Sequence, residues 1–255
     1  MLQKPLKLHV EALARLVRMG NLGELHVTLK PQAVWRPRAD QDLLEIEARK
    51  EFMRLGLLDN RGRVDVEVAA ALAVLTRAGA EFYGWINIGD ETKGVLSAAI
   101  GREAILAVRR GAEVTVTQVR PENLPMALVN QTADVPPSRG EAVNVLRSEV
   151  LASAGGRQRT AAGVGTRPAP PEVRIVQQIM SQPTTGGGEL YVAVRDRMGR
   201  RKAVQDPLRY ADTANGRWLN YSTTTGDGDE RVLVAPATRA DLAARLQEMH
   251  RTLTR

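Results

Sequence analysis

The sequence predicts an α+β protein, a quasi-twofold duplicated unit with a central, largely antiparallel sheet flanked by helices. Residues 81–131 and 189–253 share one order of strand, glycine-bearing loop, further strands, proline and helix. Equivalent positions recur within that order: Glu81 and Tyr83 with Glu189 and Tyr191, Gly101 and Arg102 with Gly216 and Arg217, and Val114, Val116, Leu124 and Leu128 with Val232, Val234, Leu242 and Leu246. One such unit alone would leave an apolar sheet face and an open edge unsatisfied, and joining two sheets about a pseudo-twofold axis relieves both.

Taken in order, Leu13, Leu16 and Val17 fall at helical spacing within 12–19 and stop at Gly20, which predicts a first helix. Leu25 to Leu29 alternates as a strand. Asp40 is placed to cap a helix whose Leu44, Ala48, Phe52 and Leu55 recur every three or four residues, with Gly56 in the C′ position. A turn at 59–62 leads to a third helix over 65–77 with Val68, Leu72 and Leu75 on one face. The first repeat then predicts strands over 81–88, 94–100, 103–109 and 113–119 and a helix over 122–131. After a break at 135–140, a strand and a helix follow near 142–153. Residues 155–171, GGRQRTAAGVGTRPAPP, have the composition of a mobile loop. Pro171 suits the first turn of a helix running to Met180. Gly186–Gly188 opens the second repeat, whose closing helix shows a T-x-x-D cap at Thr238 and Asp241 and the stripe Leu242, Leu246, Met249 and Leu253.

At 255 residues and 43% hydrophobic content the chain can bury a core, as one large domain or two modest ones. With no cysteine it has no disulfides, thiolate zinc sites or cysteine nucleophiles, and it fits a reducing cytoplasm. No apolar run approaches the ~18 residues of a membrane helix. The net charge of +7 raises nucleic acid as a partner, but the excess is 30 Arg against 6 Lys spread along the chain, with one dense cluster at Arg195–Lys202. A basic nucleic-acid-binding module using that cluster is the alternative reading, weakened by two Phe and four Tyr available for base stacking.

Motifs of chemistry are missing. His9, His26 and His250 have no H-x-x-x-H or carboxylate at ligand spacing. Asp227, Asp229 and Glu230 lack the spacing of a calcium loop and suit a hairpin turn. Gly186–Gly188 precedes a strand, whereas phosphate-cradling loops follow a strand and open a helix. Ser97, Ser148 and Ser181 have no neighbouring histidine to activate them. No catalytic residue, metal or cofactor is expected, and an enzyme is the third reading.

The segment GGGELYVAVRDRMGRR (186–201), followed by strand Val232–Ala235, Pro236 and the capped helix at 239–247, resembles the EspG family. The first half agrees: a helical start, the helix ending at Gly56 followed by Leu57, Leu58 and Asp59, then GREAILAVRRG (101–111) and VRPENL (119–124). The resemblance covers nearly the whole chain. It implies a quasi-twofold α+β domain without catalytic activity, a cytosolic chaperone of actinobacterial type VII (ESX) secretion. Its implied partner is a PE–PPE heterodimer, held by the hydrophobic tip of the PPE helices so that it stays soluble.

On the strand 81–88, Phe82, Ile86 and Ile88 point one way and Tyr83, Trp85 and Asn87 the other. The phenylalanine and isoleucine face is assigned to the core. That leaves Trp85 as a partner anchor on the outer face, with Asn87 and the 89–94 loop, including Asp90 and Lys93, beside it. Ile175 and Ile179 on the helix after the mobile loop, and Arg200 and Arg201 toward acidic partner residues, complete the candidate contacts. A homodimer through an open sheet edge is a further partner compatible with the pattern.

Overall fold

The computed structural model describes all residues except 1, 3, 34, 36, 155–168 and 225–227, so the predicted mobile loop lies almost wholly outside the described residues. Alternating apolar positions pair into one sheet in which every ladder is antiparallel. The first half runs β1 (Leu6–His9), α1 (Val10–Met19), α2 (Arg38–Arg54), α3 (Val66–Arg77), β2 (Ala80–Ile88), β3 (Glu91–Ile100), β4 (Glu103–Arg110), β5 (Glu113–Gln118) and α4 (Leu124–Val129). The second runs β6 (Val143–Leu146), α5 (Arg147–Ala154), α6 (Pro171–Met180), β7 (Thr184–Arg195), β8 (Arg201–Ala203), β9 (Leu208–Thr213), β10 (Gly216–Thr224), β11 (Glu230–Pro236) and α7 (Arg239–Thr254). The strand order is β1-β5-β4-β3-β2-β7-β9-β10-β11-β6, with β8 added to the end of β7. Read from either edge it gives the same succession, and the β2–β7 pair stands at its centre.

Three apolar clusters cover this sheet. On one face of the first half, α1 and α3 lay Leu13, Leu16, Val17, Leu72 and Leu75 on Tyr83, Leu96, Ala98, Ile105 and Val116. At the far end of the same face, Val173, Val176 and Ile179 of α6 pack on Val143, Val145, Trp218 and Val234. On the opposite face, α4 and α7 meet over the centre and bury Phe82, Ile86, Leu190, Val192 and Tyr210. The capping box of α7 forms as expected, with Thr238 and Asp241 satisfying each other's backbone N–H groups.

The connection between halves is pinned by a buried ion pair. Arg217, fully buried, donates to Asp212 from Nε at 2.6 Å and from Nη2 at 2.9 Å, and Nη2 also reaches the Ala133 carbonyl at 2.8 Å. Its backbone N–H donates to the Pro136 carbonyl and its carbonyl accepts from Ser138 N–H, so one residue ties down the 133–138 linker.

Four local expectations need correction. Residues 25–29 do not form a strand: Val27–Leu29 is a 3₁₀ turn, started by His26, whose Nδ1 accepts from the Thr28 N–H. The segment crosses the sheet face instead of joining it, and Gly94, lacking Cβ, leaves room for the Thr28 carbonyl. Asp40 is not a cap, since α2 begins at Arg38 and Asp40 sits within its first turn, where a carboxylate still favours the dipole. Of the predicted α2 stripe only Phe52 is buried, and Leu55 is exposed. The 89–94 loop is a two-residue turn, because β3 starts at Glu91 and Gly89 takes the positive φ of +57°. The edge strand β1 was not anticipated.

Candidate partner-binding groove

Antiparallel register places Trp85 opposite Glu189, Glu189 opposite Arg209, and Arg209 opposite Asn220, all on one face. One pair further along, Asn87 lies opposite Gly187 and Gly187 opposite Ala211. This strip falls between the α1–α3 layer and α6. It is left uncovered as an open groove of about 930 Å³, lined by Trp85, Asn87, Asp90, Met180, Gly187 and Arg209 among others. The face assignment for β2 is therefore half right. Glu81 and Tyr83 on the Trp85 face are buried under the first helical layer, Trp85 is half-buried, and Asn87 is exposed.

The floor is nearly bare backbone because of the glycine run in β7. A Cβ on Gly187 would come within 2.8 Å of the Tyr210 carbonyl oxygen, and one on Gly186 within 2.8 Å of the Asn87 carbonyl oxygen. The run lets β2, β7 and β9 approach closely and lowers the floor beside Trp85. Met180, at the end of α6 and largely exposed, forms the far wall.

The wall at Trp85 is braced. Its ring meets Tyr191 edge-on at 6.1 Å, and Tyr191 stacks on Tyr83 at 5.3 Å. The Tyr191 hydroxyl donates to Glu189 at 2.9 Å, and Arg209 Nε donates to the same carboxylate at 2.9 Å. The Tyr191 bond, then the Arg209 one, holds the Glu189 carboxyl below its ordinary range, while burial first and Glu189 second push the Tyr191 hydroxyl up to about 12. Behind the stack, Glu81 is buried and accepts from Arg201 Nε at 2.8 Å, with Arg195 at 3.7 Å and His26 Nε2 at 3.6 Å. Burial opposes ionisation of Glu81, but the nearby His26 ring and the hydrogen-bonded Arg201 outweigh it and lower its pKa.

Residues 9–248 match the profile of the EspG family. The chain belongs to the EspG family. No curated protein matches the sequence. Among solved structures, this EspG-family chain is similar to the Mycobacterium tuberculosis type VII secretion system chaperone EspG5, whose structure is of a complex with a PE25-PPE41 dimer. The TM-score is 0.70 at 17% identity, over 96% of this chain and 95% of that one. At that identity the likeness is one of fold.

In this EspG-family member the candidate contacts separate. Trp85, Asn87 and Asp90 come together in the groove, joined by Met180, Gly187, Arg209 and Asn220, which sequence reasoning did not single out for contact. Ile175 is exposed on α6, but Ile179 is packed in the cluster beneath that helix. Lys93 is opposite Ile86 and so lies on the other face, buried. Arg201 is committed to Glu81 and to the Tyr83 ring face at 5.3 Å, and Arg200 donates to Asp196 at 2.9 Å. The histidines are placed structurally: His9 caps α1, His26 starts the 3₁₀ turn, and His250 stacks on Phe82 at 5.4 Å. Asp227 lies outside the described residues, and Glu230 pairs with Arg147. Among the described residues no three His, Asp or Glu side chains gather to hold a metal ion, and no helix is long and apolar enough to cross a membrane.

Proposed function

We propose that the protein is a cytoplasmic chaperone of type VII secretion that holds the hydrophobic tip of a PE–PPE type helical substrate in the groove and keeps it soluble for export. The observation that carries this reading is the groove itself, a strip of an EspG-family sheet left bare between two helical layers, with Trp85 and Met180 standing above a glycine floor. The EspG5 chain of similar fold was solved with a PE25-PPE41 dimer, which supports a client of that kind here. An exposed apolar helix tip self-associates once its patch exceeds a few hundred Å². A groove with one aromatic wall and a polar rim of Asn87, Asn220 and Thr185 covers such a tip reversibly, within a standard interface of about 1,600 Å².

In this proposal residues 1–255 form one domain, the halves 81–131 and 189–253 share its sheet, and the activity is binding without catalysis. Trp85, Asn87 and Asp90 contact the client, with Ile175 alongside on α6. Nucleic acid is disfavoured because Arg195 and Arg201 reach Glu81, Arg200 reaches Asp196 and Arg209 reaches Glu189. Co-expression with the PE–PPE pair encoded near it tests the reading: the heterodimer is expected to become soluble and to co-purify. Insoluble client with no co-purification would count against it.

A further inference from the structure

One side chain of the groove has hydrogen-bond donors that the fold leaves unused. Arg209, its side chain 45% exposed, gives Nε to Glu189 at 2.9 Å, and among the described residues neither Nη1 nor Nη2 has a partner. A guanidinium carries five N–H donors in a planar fork, so four are free for a ligand. The fork is held in advance. One oxygen of Glu189 accepts from Arg209, and the other accepts from the Tyr191 hydroxyl, whose ring stacks on Tyr83. Glu189 thus orients Arg209 before any client arrives.

The width of the row selects the shape of what sits on it. Trp85, Glu189, Arg209 and Asn220 lie side by side on four adjacent strands, which at about 4.8 Å per strand span about 14 Å. An α-helix with its side chains is about 10–12 Å across, so one helix end covers the row with Glu189 and Arg209 under its axis. Chemistry then selects which end. A helix N-terminus offers unpaired N–H groups, which a guanidinium cannot accept and for which both Glu189 oxygens are already engaged. Asp90, the other acid of the lining, lies away from the row at the turn after β2. A client carboxylate would meet Glu189, hydrogen-bonded to the same guanidinium, as a like charge. A helix C-terminus brings up to four unpaired carbonyls and only about half a negative charge, which free Nη donors satisfy.

We infer that Arg209 is a specificity-determining residue of the groove: Nη1 and Nη2 donate to the terminal carbonyls of a client helix, which is seated with its C-terminal end inward. Trp85 and Met180, standing above the floor, flank the apolar side chains of that last turn. A helix entering the other way round leaves its own N–H groups and the Arg209 donors unpaired as water is expelled, and the groove rejects it on that ground. Glu189 acts through Arg209 as a positioning residue. This inference rests on the chaperone reading and adds to it the polarity of the bound segment.

Isothermal titration calorimetry of the full chain with the PE–PPE heterodimer encoded near it tests the inference. Arg209→Gln is expected to weaken binding by about tenfold or more, because hydrogen bonds from a charged donor are lost. Arg209→Lys keeps the charge without the fork and recovers only part of that loss, and Glu189→Gln, which loosens the brace, weakens binding less than Arg209→Gln does. Both side chains are exposed, so melting temperatures stay near the wild-type value. A photoreactive benzoylphenylalanine in place of Asn220, beside Arg209 on β10, reports polarity directly: crosslinks mapped by mass spectrometry are expected in the last turn of a client helix or just after it. Binding that Arg209→Gln leaves unchanged or strengthens overturns the inference. So do crosslinks confined to the first turn or the middle of a helix, or a Glu189→Gln variant weaker than Arg209→Gln, which would make the carboxylate the group that reads the client. No binding by the wild type removes the chaperone reading itself, an outcome distinct from these.

Discussion

Tyr83 and Tyr191 stand directly opposite each other across the central β2–β7 ladder, their rings stacked at 5.3 Å with planes 13° apart. They are also equivalent positions of the two sequence repeats, so the residue at the centre of the sheet pairs with its own counterpart. Stacked aromatic pairs contribute about 0.5–1.5 kcal/mol beyond burial. A double-mutant cycle on Tyr83→Leu and Tyr191→Leu, read by urea unfolding, is expected to give a coupling energy in that range, and additive costs would mean that the rings merely fill space.

Glu81 makes stability depend on pH. Its pKa is lowered in the folded protein from 4.5, so the stabilisation is present above that value and is lost as pH falls below it through the folded pKa. Replacing Glu81 by Gln leaves Arg201 and Arg195 without their carboxylate partner and costs about 1–3 kcal/mol at neutral pH. The variant is expected to lose part of the wild-type acid limb in unfolding curves taken from neutral pH to pH near 3. Parallel acid limbs would show that other carboxylates dominate.

Arg217 and Asp212 form the buried pair whose breakage is most costly. Arg217→Met strands the Asp212 carboxylate in the interior and frees the Ala133 carbonyl, at about 3–5 kcal/mol. Adding Asp212→Leu is expected to recover a substantial part of that loss, as measured by chemical denaturation, because the second change removes the uncompensated charge.

The glycine floor couples fold to binding. A methyl group at Gly187 meets the Tyr210 carbonyl oxygen at 2.8 Å, so Gly187→Ala forces β7 and β9 apart at a cost of about 1–3 kcal/mol. Melting temperature and client affinity are expected to fall together in this variant, whereas Ala211→Ser on the same floor leaves melting nearly unchanged.

Much of this architecture can be read in the chain, and the parts that cannot share a cause. Period-two alternation in 81–118 and 189–236, together with the Thr238 cap, marks the strands and α7, because those features are local. Lys93 illustrates what is not local: taking 89–94 as a loop hid the two-residue turn that sets Lys93 opposite Ile86, and a register difference moves a side chain to the other face. Trp85 was legible from its own strand. Its companions Arg209, Asn220 and Met180 were not, since they reach the groove through pairings between β7, β9 and β10 and the placement of α6. Ile179 and Ile175 read alike in sequence, and only the packing of α6 on Val145 and Trp218 separates them.

The most direct test is the equilibrium affinity of the purified protein for its PE–PPE heterodimer, wild type against Trp85→Arg. A tight complex that weakens by roughly a hundredfold on substitution is the expected result, since an anchoring tryptophan contributes about 2–4 kcal/mol. No binding by the wild type, or undiminished binding by a folded Trp85→Arg protein, would contradict the assignment of this groove to the client.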